Sequence, residues 1–320
     1  ALGVRSLCSS WYIYGCSLTT ENTKISTENT KISTENTKQL KLKRFNMNNN
    51  IHPCLWYDGK AKEAAEFYCS IFPNSKITTD TPMVVNFEIN GKKLMGLNGG
   101  PMFKFNPSIS MFVTGKTEAE VNDIYDKLIA GGEALMAIGK YDWSERYGWV
   151  KDKYGLTWQV MLGNEAKLTP SLLFTGNRFG QAEAAIKLYT SLFDDAGIDV
   201  IQYYPAETPF GGKVLFSEFK LDNYNVIAMD GPGEHKYSFN EAVSLVVECK
   251  DQEEIDFFWN KLTEGGEESQ CGWLKDAFGI SWQIIPASLG KIMTDPERGG
   301  RAMQALMKMK KLDIATLENA

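Results

Sequence analysis

The sequence predicts an α+β fold made of two tandem copies of one domain, each copy consisting of two βαβββ units. Residues 148–161 recur as residues 272–285, with seven of fourteen positions identical. A repeat of this length shows that the folding unit is smaller than the 320-residue chain. Within each copy, strand and helix periodicities alternate in the order strand, helix, three strands, twice over. The predicted divisions are a leader at 1–47, a first domain at 48–165, a second domain at 166–286 and a helical tail at 287–320.

The first copy shows each predicted element most clearly. Apolar residues spaced along Lys60–Phe72 and Glu118–Ala130 predict helices, and Asn90-Gly91 predicts a tight hairpin turn. The two copies differ around 134–147 and 197–212, which we interpret as loops that accept insertions. The predicted strands of the first copy are Ile51–Tyr57, Met83–Ile89, Lys93–Asn98, Ser108–Val113 and Leu156–Leu162.

Composition excludes some classes of function. Apolar residues make up 43% of the chain, and no apolar run is long enough to span a bilayer. Residues 1–46 hold seven Lys and Arg against three Glu, so the remaining residues carry a net charge of −10. That balance argues against nucleic-acid binding. The six cysteines form no C-x-x-C motif, which favours a reducing, cytoplasmic location.

The first 47 residues form a low-complexity leader. The heptad that begins at Thr20 repeats from Thr27 and starts again at Thr34. With one apolar residue per period it cannot bury a helix face, so we predict disorder. We expect translation to start at Met47. The alternative is a lipoprotein signal ending at Cys16, although the residues before it lack an apolar stretch.

Strand alternation predicts a ligand pocket. His52, Cys54 and Trp56 share one face of the first predicted strand, and Thr157 and Gln159 share one face of the last predicted strand of the same copy. The repeat adds Thr169, Ser281 and Gln283 as counterparts. If these faces point inward, they line a mixed polar and apolar pocket suited to a small organic ligand. The alternative is that the polar groups only satisfy one another inside the fold.

Two further sets of residues have structural interpretations. Lys151-Asp152 and Lys275-Asp276 are expected to shape the turn before the last strand of each copy. Four tryptophans are expected to pack helices onto the sheets rather than to contact a ligand: Trp149, Trp158, Trp273 and Trp282. In the tail, a helix that contains Ala302, Met303, Ala305 and Leu306 is expected to pack on a domain edge or on a second copy of the chain.

Several motifs together resemble one family. They are 55–59 with 64–68, 97–101 with 103–106, 265–268 with 271–276, Ser281-Trp282-Gln283 and the C-terminal run 307–315. On these residues the chain resembles the vicinal oxygen chelate superfamily, which includes glyoxalase I, bleomycin-resistance proteins and extradiol dioxygenases. Within it the chain is similar to the PhnB-like group, whose domains carry the description 3-demethylubiquinone-9 3-methyltransferase. The resemblance covers about residues 48–320 and implies tandem glyoxalase-like domains with open-barrel mixed sheets.

The resemblance also implies a metal site inside each barrel, formed by halves that the two copies exchange. One site would draw on His52, Asn98, Ala242 and Gln283, and the other on Thr169, Asp230, Ser108 and Gln159. A catalytic divalent metal needs about three firm donors, and neither set supplies them. We therefore expect at most a weakly bound divalent metal and no other cofactor. The candidate ligands are His52, Gln283, Asp230 and Gln159. The exchange implies an intramolecular pseudo-dimer, with a homodimer as the alternative.

Three functions are compatible with the sequence. The first is an enzyme of the superfamily, lyase- or dioxygenase-like, with an unassigned substrate and a degenerate metal site. The second is a non-catalytic protein that sequesters a small organic ligand, as bleomycin-resistance relatives do. The third is a structural or regulatory protein. Methyl transfer is disfavoured because Gly99-Gly100 and Gly231-Pro232-Gly233 each precede a strand, whereas a dinucleotide-type loop precedes a helix.

Overall fold

A computed structural model of the protein describes residues 50–320. The predicted leader lies outside these residues. The first copy contains two βαβββ units. The helices and the five strands whose bounds were predicted lie close to those bounds, whereas the strands at 76–80, 133–141 and 144–151 had no predicted bounds. Its elements are β1 (Asn50–Tyr57), α1 (Ala61–Ile71), β2 (Lys76–Asp80), β3 (Val84–Ile89), β4 (Lys92–Asn98), β5 (Ile109–Gly115), α2 (Glu118–Ile129), β6 (Glu133–Tyr141), β7 (Ser144–Lys151) and β8 (Thr157–Leu162).

The second copy repeats this order. Its elements are β9 (Lys167–Phe174), a 3₁₀ turn (Gly176–Arg178), α3 (Ala182–Leu192), β10 (Ala196–Tyr203), β11 (Val214–Leu221), β12 (Tyr224–Asp230), β13 (Val243–Cys249), α4 (Gln252–Leu262), β14 (Glu267–Glu268), β15 (Trp273–Lys275) and β16 (Ser281–Pro286). Three short helices follow: α5 (Leu289–Met293), α6 (Gly299–Leu306) and α7 (Ile314–Glu318). Within residues 50–320, no helix has the length and apolar character needed to cross a membrane.

The two copies exchange halves, as the resemblance implies. Sheet 1 has the strand order β14-β15-β16-β13-β1-β4-β3-β2, and sheet 2 has the order β10-β11-β12-β9-β5-β8-β7-β6. Each sheet therefore joins one half of each copy. The junctions are antiparallel: β1 pairs with β13, and β5 pairs with β9. Both sheets are mixed and remain open, which confirms the predicted α+β architecture.

The interpretation of the two variable segments as loops was wrong. The segment around 134–147 forms the hairpin of β6 and β7, whereas its counterparts β14 and β15 have only two and three residues. The segment around 197–212 begins with β10, an eight-residue strand whose counterpart β2 has five. Both insertions therefore extend strands, and all three extended strands belong to sheet 2.

Helices α1 to α4 cover one face of each sheet, and a single hydrophobic core fills the space between helices and strands. It includes Leu55, Tyr68 and Trp158 from the first copy and Tyr189 and Trp282 from the second. We call the opposite face of each sheet its inner face. Because alternate strand residues point to opposite sides, His52, Cys54 and Trp56 lie on the inner face of sheet 1.

A buried carboxylate links the two sheets at each of two equivalent places. Asp152 follows β7 of sheet 2, and its Oδ2 accepts hydrogen bonds from Tyr68 Oη at 2.8 Å and Trp158 Nε1 at 2.9 Å. Tyr68 lies on α1, which packs on sheet 1. Asp276 accepts the equivalent bonds from Tyr189 Oη at 2.6 Å and Trp282 Nε1 at 2.8 Å.

The other oxygen of each carboxylate shapes the turn before the last strand, as predicted. Asp152 Oδ1 accepts the backbone N–H groups of residues 154 and 156, and Asp276 Oδ1 accepts those of residues 278 and 280. Burial raises the pKa of both carboxyl groups, and the four hydrogen bonds to each oppose that rise. Gly132 and Gly266 lie beside these turns, where a Cβ would come within 2.1 Å of the Lys151 or Lys275 carbonyl oxygen.

The exchange of Asp276 for asparagine should destabilise the fold. An asparagine amide would place N–H groups against Trp282 Nε1–H, which can only donate, so a buried donor would lose its acceptor. The expected loss in the free energy of unfolding is about 1–3 kcal/mol, measured by urea denaturation. Asp152→Asn should behave alike, whereas Asp58→Asn, at an exposed position, should change little. Equal effects of Asp276→Asn and Asp58→Asn would contradict the role of the buried network.

A third buried acid, Asp222, should make stability depend on pH. Asp222 lies in the β11–β12 turn at φ 49°, and the equivalent turn of the first copy has Asn90 at φ 50°. Burial raises the pKa of Asp222 to about 6, above the value of about 4 in an unfolded chain. The stability that this group contributes is therefore complete below about pH 4 and is lost as the pH rises through about 6.

Asp222→Asn gives this turn the asparagine that the equivalent turn of the first copy has, so the loss of stability at high pH should disappear. We expect the free energy of unfolding to rise by about 1–2 kcal/mol at pH 8 and to stay unchanged at pH 4, as measured by urea denaturation at both values. A gain of the same size at pH 4 and pH 8 would show that the pKa of Asp222 is not raised in the folded state.

Candidate functional site

The inner face of sheet 2 contains a cavity with a volume of about 220 Å³. One row of paired residues crosses four strands: Met136 lies opposite Trp149, Trp149 opposite Gln159, and Gln159 opposite Phe112. All four line the cavity. From β9 to β10 the lining continues through Leu173, Met229, Phe216 and Gln202.

Both insertions contribute to the walls of this one cavity. The β6–β7 hairpin of the first copy supplies Met136, Trp143 and Tyr147, and β10 of the second copy supplies Val200 and Gln202. Register shifts interrupt the pairing of β6 with β7 and of β10 with β11. Such bulges bend and twist a strand, which suits the outer strands of an open sheet that curves around a cavity.

A polar chain lies at the centre of the inner face of sheet 2. Tyr147 Oη donates to Gln159 Oε1 at 2.7 Å, and Gln159 Nε2 donates to Ser110 Oγ at 2.7 Å. Ser171 Oγ is 3.5 Å from the same Nε2. Gln159 is 5% exposed, so its amide forms hydrogen bonds with these side chains instead of with water. The remainder of the lining is mainly aromatic, aliphatic and methionine side chains.

Asp230, which the sequence suggested as a metal ligand, satisfies backbone groups instead. Its Oδ1 accepts the N–H groups of Gly180 at 2.7 Å and Ala182 at 3.3 Å, and its Oδ2 accepts that of Val214 at 2.9 Å. It therefore anchors the start of α3. Burial raises its pKa, and these backbone N–H groups oppose the rise. Asn98 anchors α1 in the same way, since its Oδ1 accepts the Ala61 N–H at 2.9 Å.

The inner face of sheet 1 has an equivalent polar cluster. Gln283 Nε2 donates to Ser244 Oγ at 2.9 Å, as Gln159 does to Ser110. Burial raises the pKa of the adjacent Cys54 thiol to about 12, and hydrogen bonds with Gln283 and Ser244 oppose the rise. The thiol therefore stays protonated at neutral pH and is a poor metal ligand and nucleophile. His52 lies on the same face and is fully buried.

The C-terminal tail covers the inner face of sheet 1. Ile292, Ala302, Leu312 and Leu317 are buried against a group of inner-face side chains, namely Cys54, Met95, Val246 and Ile285. Backbone bonds also hold the tail, because the N–H groups of residues 271 and 272 donate to the carbonyls of residues 309 and 310. The predicted helix in the tail is confirmed, but the tail packs on the inner face of a sheet of the same chain, not on a domain edge or a second copy as predicted.

One substitution between the copies adds to the difference between the faces. Trp56 in sheet 1 contacts Trp273 with ring centroids 5.9 Å apart and Phe103 at 5.0 Å. The repeat places Leu173 at the position of Trp56 and Trp149 at the position of Trp273. The smaller Leu173 leaves space next to Trp149, and both line the cavity.

The structure separates the pocket residues predicted from sequence. His52, Cys54, Trp56, Ser281 and Gln283 lie on sheet 1, and of these Cys54 packs with the tail. Thr157, Gln159 and Thr169 lie on sheet 2, and of the eight residues only Gln159 lines the cavity. Reasoning from sequence missed Met136, Trp143, Tyr147 and Gln202, which lie on or beside the inserted strands.

The prediction for the tryptophans was half right. Trp158 packs against Tyr68 and Phe72 with ring centroids at 5.0 and 5.5 Å, and Trp282 packs against Tyr189 at 5.2 Å. Trp149 and Trp273 instead point to the inner faces. Alternation along β7 could have shown this, because Val150 beside Trp149 belongs to the helix-side core.

The residues present do not fit the metal that the fold family implies. No group of three or more His, Cys, Asp or Glu side chains lies together within residues 50–320. In sheet 2, both oxygens of Asp230 accept backbone amides and Gln159 is held by Tyr147 and Ser110. In sheet 1, the Asn98 oxygen accepts the Ala61 amide. Neither set offers the three donors that a tightly held divalent ion needs.

If the tail is an integral cover of sheet 1, truncation of one of its buried side chains should destabilise the whole chain. Leu312 is fully buried, so Leu312→Ala should lower the free energy of unfolding by about 2–5 kcal/mol, measured by urea denaturation. Met307→Ala is the matched control, because Met307 is 62% exposed in the same segment. A loss below about 0.5 kcal/mol for Leu312→Ala would contradict the packing of the tail.

Comparisons with known proteins show which family and which solved structures this chain resembles. The family model described as 3-demethylubiquinone-9 3-methyltransferase matches residues 49–161 and again residues 166–285. A search of curated proteins gives no match. A solved structure described as a putative 3-demethylubiquinone-9 3-methyltransferase, PhnB protein, from Bacillus cereus is 35% identical. It aligns with 34% of this chain and 96% of its own, with a TM-score of 0.33.

Two further structures have the glyoxalase description. Glyoxalase I from Zea mays is 11% identical over 75% of this chain and 94% of its own, with a TM-score of 0.50, a likeness of fold alone. A glyoxalase-related enzyme from Fulvimarina pelagi is 18% identical over 36% of this chain and 94% of its own, with a TM-score of 0.30. On the two family matches, the chain belongs to the 3-demethylubiquinone-9 3-methyltransferase domain family and carries the domain twice.

Proposed function

We propose that the protein binds a small, mainly apolar organic molecule in the cavity of sheet 2, without a resident metal ion. The single observation that carries the proposal is the convergence of both insertions on this cavity. Strand extensions from opposite copies, far apart in sequence, supply its two walls. The fold alone requires neither extension, since sheet 1 is formed with shorter outer strands.

The size and lining of the cavity indicate the kind of ligand. An engineered apolar cavity of about 150 Å³ holds benzene, so about 220 Å³ suits a molecule slightly larger than a single ring. Aromatic rings of Phe112, Trp143 and Trp149 and the thioethers of Met136 and Met229 line the space. Such side chains favour flat, polarizable ligands.

The proposal favours binding over methyl transfer. A methyl donor that contains adenosine and an acceptor would together need far more space than this cavity offers. In addition, the glycine pairs after β4 and β12 lead into β5 and β13, so neither forms the loop before a helix that binds such donors. Because the donor set does not fit a tightly bound ion, we propose sequestration of the ligand rather than metal-dependent chemistry.

The test uses α-methylstyrene, a neutral hydrocarbon of suitable size, and isothermal titration calorimetry of the full chain. We expect one molecule bound per chain, because the tail covers the equivalent face of sheet 1. Leu173→Trp should weaken binding at least about tenfold, since it introduces the bulk that Trp56 has in sheet 1 and removes favourable contacts. Ile198→Trp is the matched control, because it adds the same side chain at an exposed position of β10.

Metal dependence is tested on the same samples. Binding in the presence of EDTA should equal binding without it, and metal analysis of the purified protein should give much less than one equivalent. Unchanged binding in Leu173→Trp, or the absence of binding to the unmodified chain, would overturn the proposed site. A tightly held metal ion whose removal abolishes binding would instead favour the enzyme hypothesis.

A further inference from the structure

Trp149 has a buried polar group without a partner. The side chain is 4% exposed and lines the sheet 2 cavity. Its Nε1–H meets no hydrogen-bond acceptor among residues 50–320. Nearly all buried donors in proteins are satisfied, and an unsatisfied one costs about 1–3 kcal/mol. Because this side chain belongs to the cavity wall, an acceptor supplied by a ligand would remove that cost.

The other buried polar groups around the cavity already have partners. The two ends of the Gln159 amide bond Tyr147 and Ser110. Tyr204 Oη donates to the Asp230 carbonyl at 3.1 Å, and both Asp230 carboxylate oxygens accept backbone N–H groups. Among the buried polar atoms of the described lining residues, Trp149 Nε1 alone has no partner.

Charge restricts the ligand further. None of the described residues that line the cavity is Lys, Arg or His. An anionic ligand would leave water without a counter-charge, which is strongly unfavourable in an apolar site. A neutral carbonyl oxygen loses much less hydration and can accept the indole N–H.

We propose that the ligand is a neutral, flat molecule whose carbonyl or similar uncharged oxygen accepts a hydrogen bond from Trp149 Nε1. This inference rests on the proposed function and specifies the ligand class for the same cavity. Trp149 is thus a specificity-determining residue, placed beside Gln159 and Met136 by the pairing of β7 with its neighbours.

Three probes of nearly the same shape test the proposal by calorimetry: acetophenone, α-methylstyrene and benzoate. They place a carbonyl, an alkene and a carboxylate at the same position of one ring. Acetophenone should bind roughly three- to tenfold more tightly than α-methylstyrene, the effect of one net hydrogen bond, and benzoate should bind most weakly. In Trp149→Phe the preference for acetophenone should disappear, while α-methylstyrene still binds.

The ratio of the two affinities separates recognition from general damage, because a misfolded cavity would weaken both probes together. Trp273→Phe, the equivalent change in sheet 1, should leave the ratio unchanged. In ¹⁵N-labelled protein, acetophenone should shift the Trp149 indole N–H resonance downfield and α-methylstyrene should not. Equal affinities for the two neutral probes in the unmodified chain, or tighter binding of benzoate, would overturn this inference. The proposed function is tested separately from this inference. It stands if α-methylstyrene binds and Leu173→Trp weakens that binding, whatever the results with acetophenone and benzoate.

Discussion

The buried carboxylates of Asp152 and Asp276 connect parts of the protein that the sheets alone would leave separate. Each accepts a tyrosine hydroxyl from a helix on one sheet and an indole N–H from a strand of the other. A buried charged carboxylate destabilises the folded protein unless it is fully hydrogen-bonded. Four donors per carboxylate meet that requirement, so the side chains that satisfy the charge also fix how the helices of one sheet lie on the strands of the other.

The order of elements followed from local patterns, because periodicity and the repeat are both visible along the chain. Alternation also placed His52, Cys54 and Trp56 correctly on one face. The residues that form the walls of the cavity could not be predicted from local patterns. An insertion relative to a repeat looks like a loop in sequence, and Met136 and Gln202 acquire their positions only from the pairing of β6 with β7 and of β10 with β11. Coverage of sheet 1 by the tail depends on contacts between residues far apart, which no local pattern records.

The cavity combines two features, an apolar volume and one buried indole N–H without a partner. In the proposed function, its apolar volume would accept many small ring compounds, since burial of apolar surface is non-directional. Selectivity needs a group whose interaction depends on the ligand, and a lone indole N–H is suited to that because its cost is removed only by an acceptor. Gln159 does not serve this purpose, since Tyr147 and Ser110 already satisfy its amide.

Duplication within one chain explains how the two faces came to differ. In a symmetric homodimer both inner faces would present the same residues and each chain would bring its own tail. Here one polypeptide supplies both faces but has a single C-terminal segment, which covers sheet 1 only. Leu173 could replace the bulk of Trp56 on one face, and β6, β7 and β10 could lengthen around it, without any change on the other. Loss of symmetry thus permits one face to be packed for stability while the other keeps an open cavity.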